Sequence, residues 1–345
     1  MASGDSQKTE LQKRAYESLS KYFQEHEDEV IEIEILPPAI QPPEGVLMQD
    51  GLSLGVPKKV LALAYLEARQ RFFDNRTSGL SSPIAKTLQA TKIMLLFDPE
   101  HLTAANFRKR VLSHLEAGYG LYAETPYHQA LRQELCFLNS VLTSPLHRQS
   151  KSPTLWYHRS GIVDSLVLIE FSGASDDQKA AFWRGELTAV FKSGEQHPKN
   201  YHAWQYARRL MHKIENLGSD EDFAHRVKDW CCRHPSDVSG WSFLLYLTAR
   251  LQSTSSRHDL VADVVNYAIT LGSEQESLWV FIRTVLAQEM LIEKHTALYQ
   301  TLQNYGKSLE TASKRPEISA RVHSALTWIE THRPATVINT PGLAR

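Results

Sequence analysis

The sequence predicts an all-α fold, a right-handed superhelical solenoid of antiparallel helix hairpins. Three observations carry that expectation. A tryptophan-centred string recurs, Pro and Gly breaks alternate with helical apolar stripes, and no run of apolar alternation is long enough to build a sheet. The string is clearest at Lys199-Asn200-Tyr201-His202-Ala203-Trp204 and recurs around Trp156, Trp241 and Trp279. In a weaker copy, Thr103 to Arg108, Ala105 replaces the ring. Spacings of 51, 48, 37 and 38 residues between these centres fall in the range of stacked helical repeats, each burying its apolar face on its neighbours.

Taken in order, residues 7–24 read as a short amphipathic helix. The acidic stretch Glu25 to Glu34 then leads through Ile35 and Leu36 into Pro37, Pro38, Pro42 and Pro43, a proline density that argues against regular structure. Residues 1–50 are therefore expected to form an N-terminal helix and a Pro-rich extended arm, and residues 51–345 a single solenoid with repeats centred near 105, 156, 204, 241 and 279. Val60, Leu61, Ala64, Tyr65 and Ala68 give a helical stripe that Phe72 and Phe73 extend to Asn75. Ser78-Gly79 breaks it, and Pro83 opens a second helix running to Phe97. Helix pairs follow at 103–117 with 127–142, 153–170 with 176–194, 201–215 with 220–233, 238–252 with 258–271, and 276–291 with 293–306, before a last helix at 316–332. Their breaks fall on small or helix-breaking residues such as Ser172-Gly173, Gly218-Ser219 and Gly272.

Four residues before the first three tryptophans stand Ser152, Asn200 and Asp237, each able to accept from free N–H groups at a helix start. Each tryptophan is then the fourth residue of its helix, a repeat-core position for Trp156, Trp204, Trp241 and Trp279. Lys151 and Lys199 each lie five residues before a tryptophan, where the helix dipole already presents partial positive charge. Two such lysines in neighbouring repeats would either line a phosphate or diphosphate site on one edge, or lay their stems over the rings with solvated heads. Tyr201 and His202 share the first turn with Lys199, and His158 and Arg159 follow Trp156.

Composition narrows the function. With 38 basic and 39 acidic residues the net charge is -1, so no global field draws nucleic acid or anionic lipid, and any anion site must be local. The three cysteines, Cys136, Cys231 and Cys232, show neither a disulfide framework nor paired zinc ligation, and His212, His225 and His234 add no tidy ligand spacing. No apolar signal core, membrane span or lipidation box at Thr340 to Arg345 is legible, which points to a soluble cytoplasmic protein. Neither a Gly-rich phosphate loop nor a Ser-His-Asp arrangement is present to make an autonomous catalytic centre.

The repeat strings resemble the protein prenyltransferase alpha-subunit repeat family. The resemblance is nearest to the alpha-subunit-repeat-containing branch that pairs with the beta subunit of Rab geranylgeranyltransferase. Ile33 to Pro37, Leu54 to Val56, Leu95 to Pro99 leading into Thr103 to Lys109, and Lys151 to Arg159 carry it, over residues 30 to 290. It implies a crescent of helical hairpins around a beta subunit that supplies zinc and the isoprenoid pocket, this chain binding no cofactor itself. It further implies a prenyl diphosphate donor, geranylgeranyl in this branch, and a cysteine-bearing protein acceptor. The family's diphosphate lysine falls on Lys151; Lys199, Asn200, Tyr201, His202, His158 and Arg159 fall on the subunit interface or substrate edge. Pro153 and Thr154 replace a tyrosine and a carboxylate-binding glutamine of farnesyltransferase-type subunits, so the resemblance does not extend to a free C-terminal tetrapeptide. These departures, with Ala105, keep open a non-catalytic repeat scaffold that binds a protein partner.

Overall fold

The computed structural model describes residues 2–43, 45–77, 84–214, 220–288, 295–312 and 315–332. Breaks expected at Ser78-Gly79, Pro83 and Gly218-Ser219, the helix ends at 215, 291 and 293, and the C-terminal Thr340 to Arg345 lie outside them. The described residues are 76% helical, in 15 helices with a small sheet, in accord with an all-α helical-repeat fold. It divides into two compact units, Met1–Lys213 and Ile214–Arg345.

The first unit comprises α1 (Ala2–Glu25), β1 (Glu32–Leu36), β2 (Met48–Asp50), β3 (Ser53–Pro57), α2 (Lys58–Thr77), α3 (Ile84–Phe97), α4 (Leu102–Tyr119), α5 (Pro126–Leu142), α6 (His147–Ser150), α7 (Pro153–Glu170), α8 (Asp176–Gln196) and α9 (Tyr201–Met211). Helix α1 packs on α2 and α3, burying Ala15, Leu19 and Phe23.

The sheet corrects the expectation that none would form. Its order is β1-β3-β2, with β1 parallel and β2 antiparallel to β3, and Ile33 faces Leu54 while Ile35 faces Val56. Alternation in Glu32-Ile33-Glu34-Ile35 was present but only four residues long, and its partner strand lies beyond the prolines, so local pattern could not reveal the pairing. The free edge of β1 is closed by α5: Ser140 Oγ accepts from Ile31 N–H at 2.9 Å and Ser144 Oγ from Ile33 N–H at 2.8 Å.

The second unit contains α10 (Asp220–Arg233), α11 (Val238–Arg250), α12 (Thr254–Leu271), α13 (Glu276–Ala287), α14 (His295–Ala312) and α15 (Pro316–His332). Gly272 ends α12 in the left-handed conformation at φ 56°, its N–H returning to the Ala268 and Ile269 carbonyls.

In both units the first turn of the repeat helix places its tryptophan alike. The four tryptophans are each the fourth residue of α7, α9, α11 or α13 and are at most 3% exposed. Three of the indoles donate to the carbonyl six residues upstream: Trp156 Nε1 to Ser150 O at 2.8 Å, Trp241 to Pro235 O at 3.0 Å, and Trp279 to Ser273 O at 2.7 Å. Each ring thereby ties its helix to the turn that precedes it, burying an aromatic surface while satisfying its one donor. Ser152 Oγ, Asn200 Oδ1 and Asp237 Oδ1 accept from the N–H three residues on, at 3.1, 3.3 and 2.8 Å. Asp237→Ala is expected to cost the second unit about 1 kcal/mol, and Asp237→Asn much less because it keeps the acceptor. Urea midpoints of the two variants check this.

Candidate functional site

The segments entering α7 and α9 are tied together at one edge of the first unit. Ser150 O, which takes the Trp156 indole, also accepts from Asn200 Nδ2 at 2.8 Å, and Asn200 Nδ2 reaches Ser193 Oγ at 3.0 Å. Pro198 O, six residues before Trp204, accepts instead from Lys151 Nζ at 3.2 Å. The carbonyl that binds a tryptophan in three other repeats here receives an ammonium from the preceding repeat. Lys151 is thus held, half-buried, against the N-terminal turn of α9.

Other basic residues gather there. The His147 and His197 rings meet edge-on at 5.3 Å. Burial first, then the charges of His147 and Lys151, lowers the His197 pKa. Lys199 is exposed and left-handed at φ 61°, so the two lysine strings are not conformational copies. Tyr201 is 60% exposed and His202 half-buried, their rings 5.5 Å apart. A carboxylate also faces this edge: Glu100 accepts from the Ser152 and Thr154 hydroxyls, and so already occupies part of the α7 N-terminus. Thr154, one of the departures from the prenyltransferase pattern, is engaged by that carboxylate.

His158 and Arg159, expected at an interface or substrate edge, lie inside the unit at 2% and 1% exposure. The reason is register: Arg108 and Arg159 are each the seventh residue of their helix, facing the neighbouring helices across the core. Arg108 Nε donates to Glu134 Oε1 at 2.7 Å, and Arg108 Nη1 to Thr91 Oγ1 at 2.8 Å; His158 Nε2 stands 2.8 Å from the same Glu134 oxygen. Burial alone would raise the Glu134 pKa, but the Arg108 charge and the hydrogen bonds from His158 and Arg108 hold it far below the usual carboxylate range. One repeat on, the Arg159 guanidinium binds Glu186, Tyr206 and Asn139. Sequence reading missed Glu134 and Glu186, although a carboxylate inside the apolar stripe Leu131, Leu135, Leu138 was a usable signal.

The chain's own thiols are not prepared for attack. Burial raises Cys136 and Cys231 and pushes Cys232 up to about 11, each away from the nucleophilic thiolate. Among the described residues no group of three or more His, Cys, Asp or Glu is placed to hold a metal ion, and no helix is long and apolar enough to cross a membrane.

Fold and edge together define an α-helical repeat protein with a local cationic rim built from the starts of two successive repeats. Among known proteins, the ECM9 middle domain profile matches residues 167–269. The geranylgeranyl transferase type-2 alpha subunit of Saccharomyces cerevisiae is 22% identical over 216 residues, 60% of each chain. Its namesake from Rattus norvegicus is 26% identical over 189 residues, 54% of this chain and 29% of the rat protein. These homologues support a prenyltransferase alpha-subunit-like family for the chain. The chain spans only 60% of the yeast relative's length and 29% of the rat one's.

Proposed function

We propose that this chain is the alpha-type, non-zinc subunit of a cytoplasmic heterodimeric protein prenyltransferase, transferring a geranylgeranyl group from its diphosphate to a protein cysteine. The observation that carries the reading is Lys151, drawn across the repeat boundary to Pro198 O beside the start of α9. An ammonium at a helix N-terminus stabilises a leaving diphosphate as its charge develops, and it acts most strongly where a partner excludes water. Lys199, Asn200, Tyr201 and His202 border the same edge. Asn200 positions the two entry segments, while Tyr201 is exposed to the partner or product. Zinc in a Rab-type beta subunit would hold the acceptor's cysteine as a thiolate, a form from which burial keeps this chain's own thiols.

Co-expression with a Rab geranylgeranyltransferase beta subunit is expected to give a complex that survives gel filtration and transfers geranylgeranyl to a cysteine acceptor. Failure to co-purify with any prenyltransferase beta subunit would falsify the reading. A stable complex without transfer would instead favour the scaffold alternative.

A further inference from the structure

Helices α4, α5, α7 and α9 enclose a cleft of 540 Å³, within the span of about 300–1,000 Å³ usual for ligand sites. Its floor is apolar and buried, formed by Leu112, Tyr127, Leu131 and Ile162. Above the floor stands Tyr157, 62% exposed despite its large ring. Lys109 Nζ lies 4.7 Å from that ring's centroid and Arg209 Cζ 5.7 Å. Among the described residues neither cation makes an ion pair, whereas Lys213 on the same rim is paired with Asp164. Burial lowers the Lys109 pKa, as expected of a cation given no counter-charge. Two carboxylates also line the cleft, Asp164, which Lys213 pairs, and Glu116, but among the described residues neither pairs with Lys109 or Arg209, so the two charges around the exposed ring keep no ion-pair partner. An anionic group seated between them would offset both charges.

A second cavity of 210 Å³ shares Tyr157 and Arg209 and continues past Trp156 and His202 to Pro153, the first residue of α7. Tyr157 is about one helical turn, ~6 Å, from Pro153. The two cavities adjoin at Tyr157 and Arg209, and the smaller one reaches Pro153, two residues after Lys151, which together outline a track from the cationic cleft toward that edge.

We propose that this track holds an extended acidic segment of the acceptor protein, its carboxylates on Lys109 and Arg209 and an apolar side chain on the Leu112–Leu131 floor. The assignment to an acceptor rests on the prenyl-transfer reading. A chain that presents a cysteine at the Lys151 edge and continues through the smaller cavity arrives at Tyr157 within a few extended residues. Acceptors would then carry Asp or Glu within about ten residues of the modified cysteine.

The probe is a fluorescein-labelled peptide of alternating Glu and Leu around one Phe, with a Lys-for-Glu counterpart, titrated onto the complex with the beta subunit. Only the acidic peptide is expected to bind, about tenfold more weakly to Lys109→Glu/Arg209→Glu and to the milder Lys109→Gln/Arg209→Gln, and more weakly as salt rises. In transfer assays the acidic peptide should compete with the acceptor but not with prenyl diphosphate, and both variants should raise acceptor KM about tenfold at unchanged kcat. Equal binding of both peptides, or unchanged binding and KM in the variants, overturns the inference while leaving prenyl transfer intact. Loss of beta-subunit assembly in the variants also overturns it, giving the cleft to the subunit interface. A wild-type complex that transfers nothing sinks the prenyl-transfer reading itself, and the acceptor assignment with it.

Discussion

Glu134→Gln is expected to destabilise the first unit by about 3–5 kcal/mol, because it leaves the Arg108 guanidinium buried without its counter-charge. Glu134 serves two cationic or donor partners at once, Arg108 from α4 and His158 from α7, so one change weakens the contacts of α5 with both helices. A neutral amide fills the same space, and the loss would therefore report charge and hydrogen bonding rather than a cavity. Arg108→Met/Glu134→Leu should recover part of the loss by removing both charges, though not all, since His158 then loses its acceptor. Urea denaturation of the single and double variants tests this, and a Glu134→Gln loss below about 1 kcal/mol would contradict it.

The same carboxylate makes a pH prediction. Its folded pKa is depressed below the ordinary 4.5, so its contribution is fully present above that value and is lost as pH falls further. Stability of the wild type should therefore drop below about pH 4.5 more steeply than that of Glu134→Gln, which has no carboxyl to protonate.

Much of the repeat was legible because its signals are local. Ser152, Asn200 and Asp237 mark helix starts through a bond spanning three residues, and the tryptophans follow at a constant offset. The sheet was not legible, because Ile33 pairs with Leu54 across a proline-rich segment and is completed by serines more than a hundred residues away. The edge was legible in part. Lys151 and Lys199 could be singled out by position, but not that Lys151 would cross to Pro198 O, nor that Glu100 would occupy the start of α7. His158 and Arg159 were misplaced because motif adjacency says nothing about which helix face a residue takes. Glu134 and Glu186, their partners, lie 24 and 27 residues away. The cleft around Tyr157 draws Lys109, Tyr157 and Arg209 from three helices, a juxtaposition that only packing creates.

Lys151→Ala in an active complex is expected to lower kcat by about a hundredfold with little change in subunit assembly. Its fold contribution is one hydrogen bond to a carbonyl at a partly exposed edge, so removing it should leave the first unit nearly as stable. Its contribution to transfer would be larger, because the diphosphate gains charge only as the carbon–oxygen bond breaks, and an ammonium there binds that state more strongly than the ground state. Lys199→Ala should cost only a few-fold. The Lys199 backbone is left-handed, and its side chain therefore leaves the α9 entry in a different direction from that of Lys151. Lys151→Arg keeps the charge but exchanges a compact ammonium for a wide planar fork, so partial recovery is expected. Single-turnover rates on preformed complexes separate these outcomes. If Lys199→Ala carries the hundredfold loss and Lys151→Ala does not, the diphosphate lies one repeat further along the edge, and the bond from Lys151 to Pro198 O serves only to fasten neighbouring repeats.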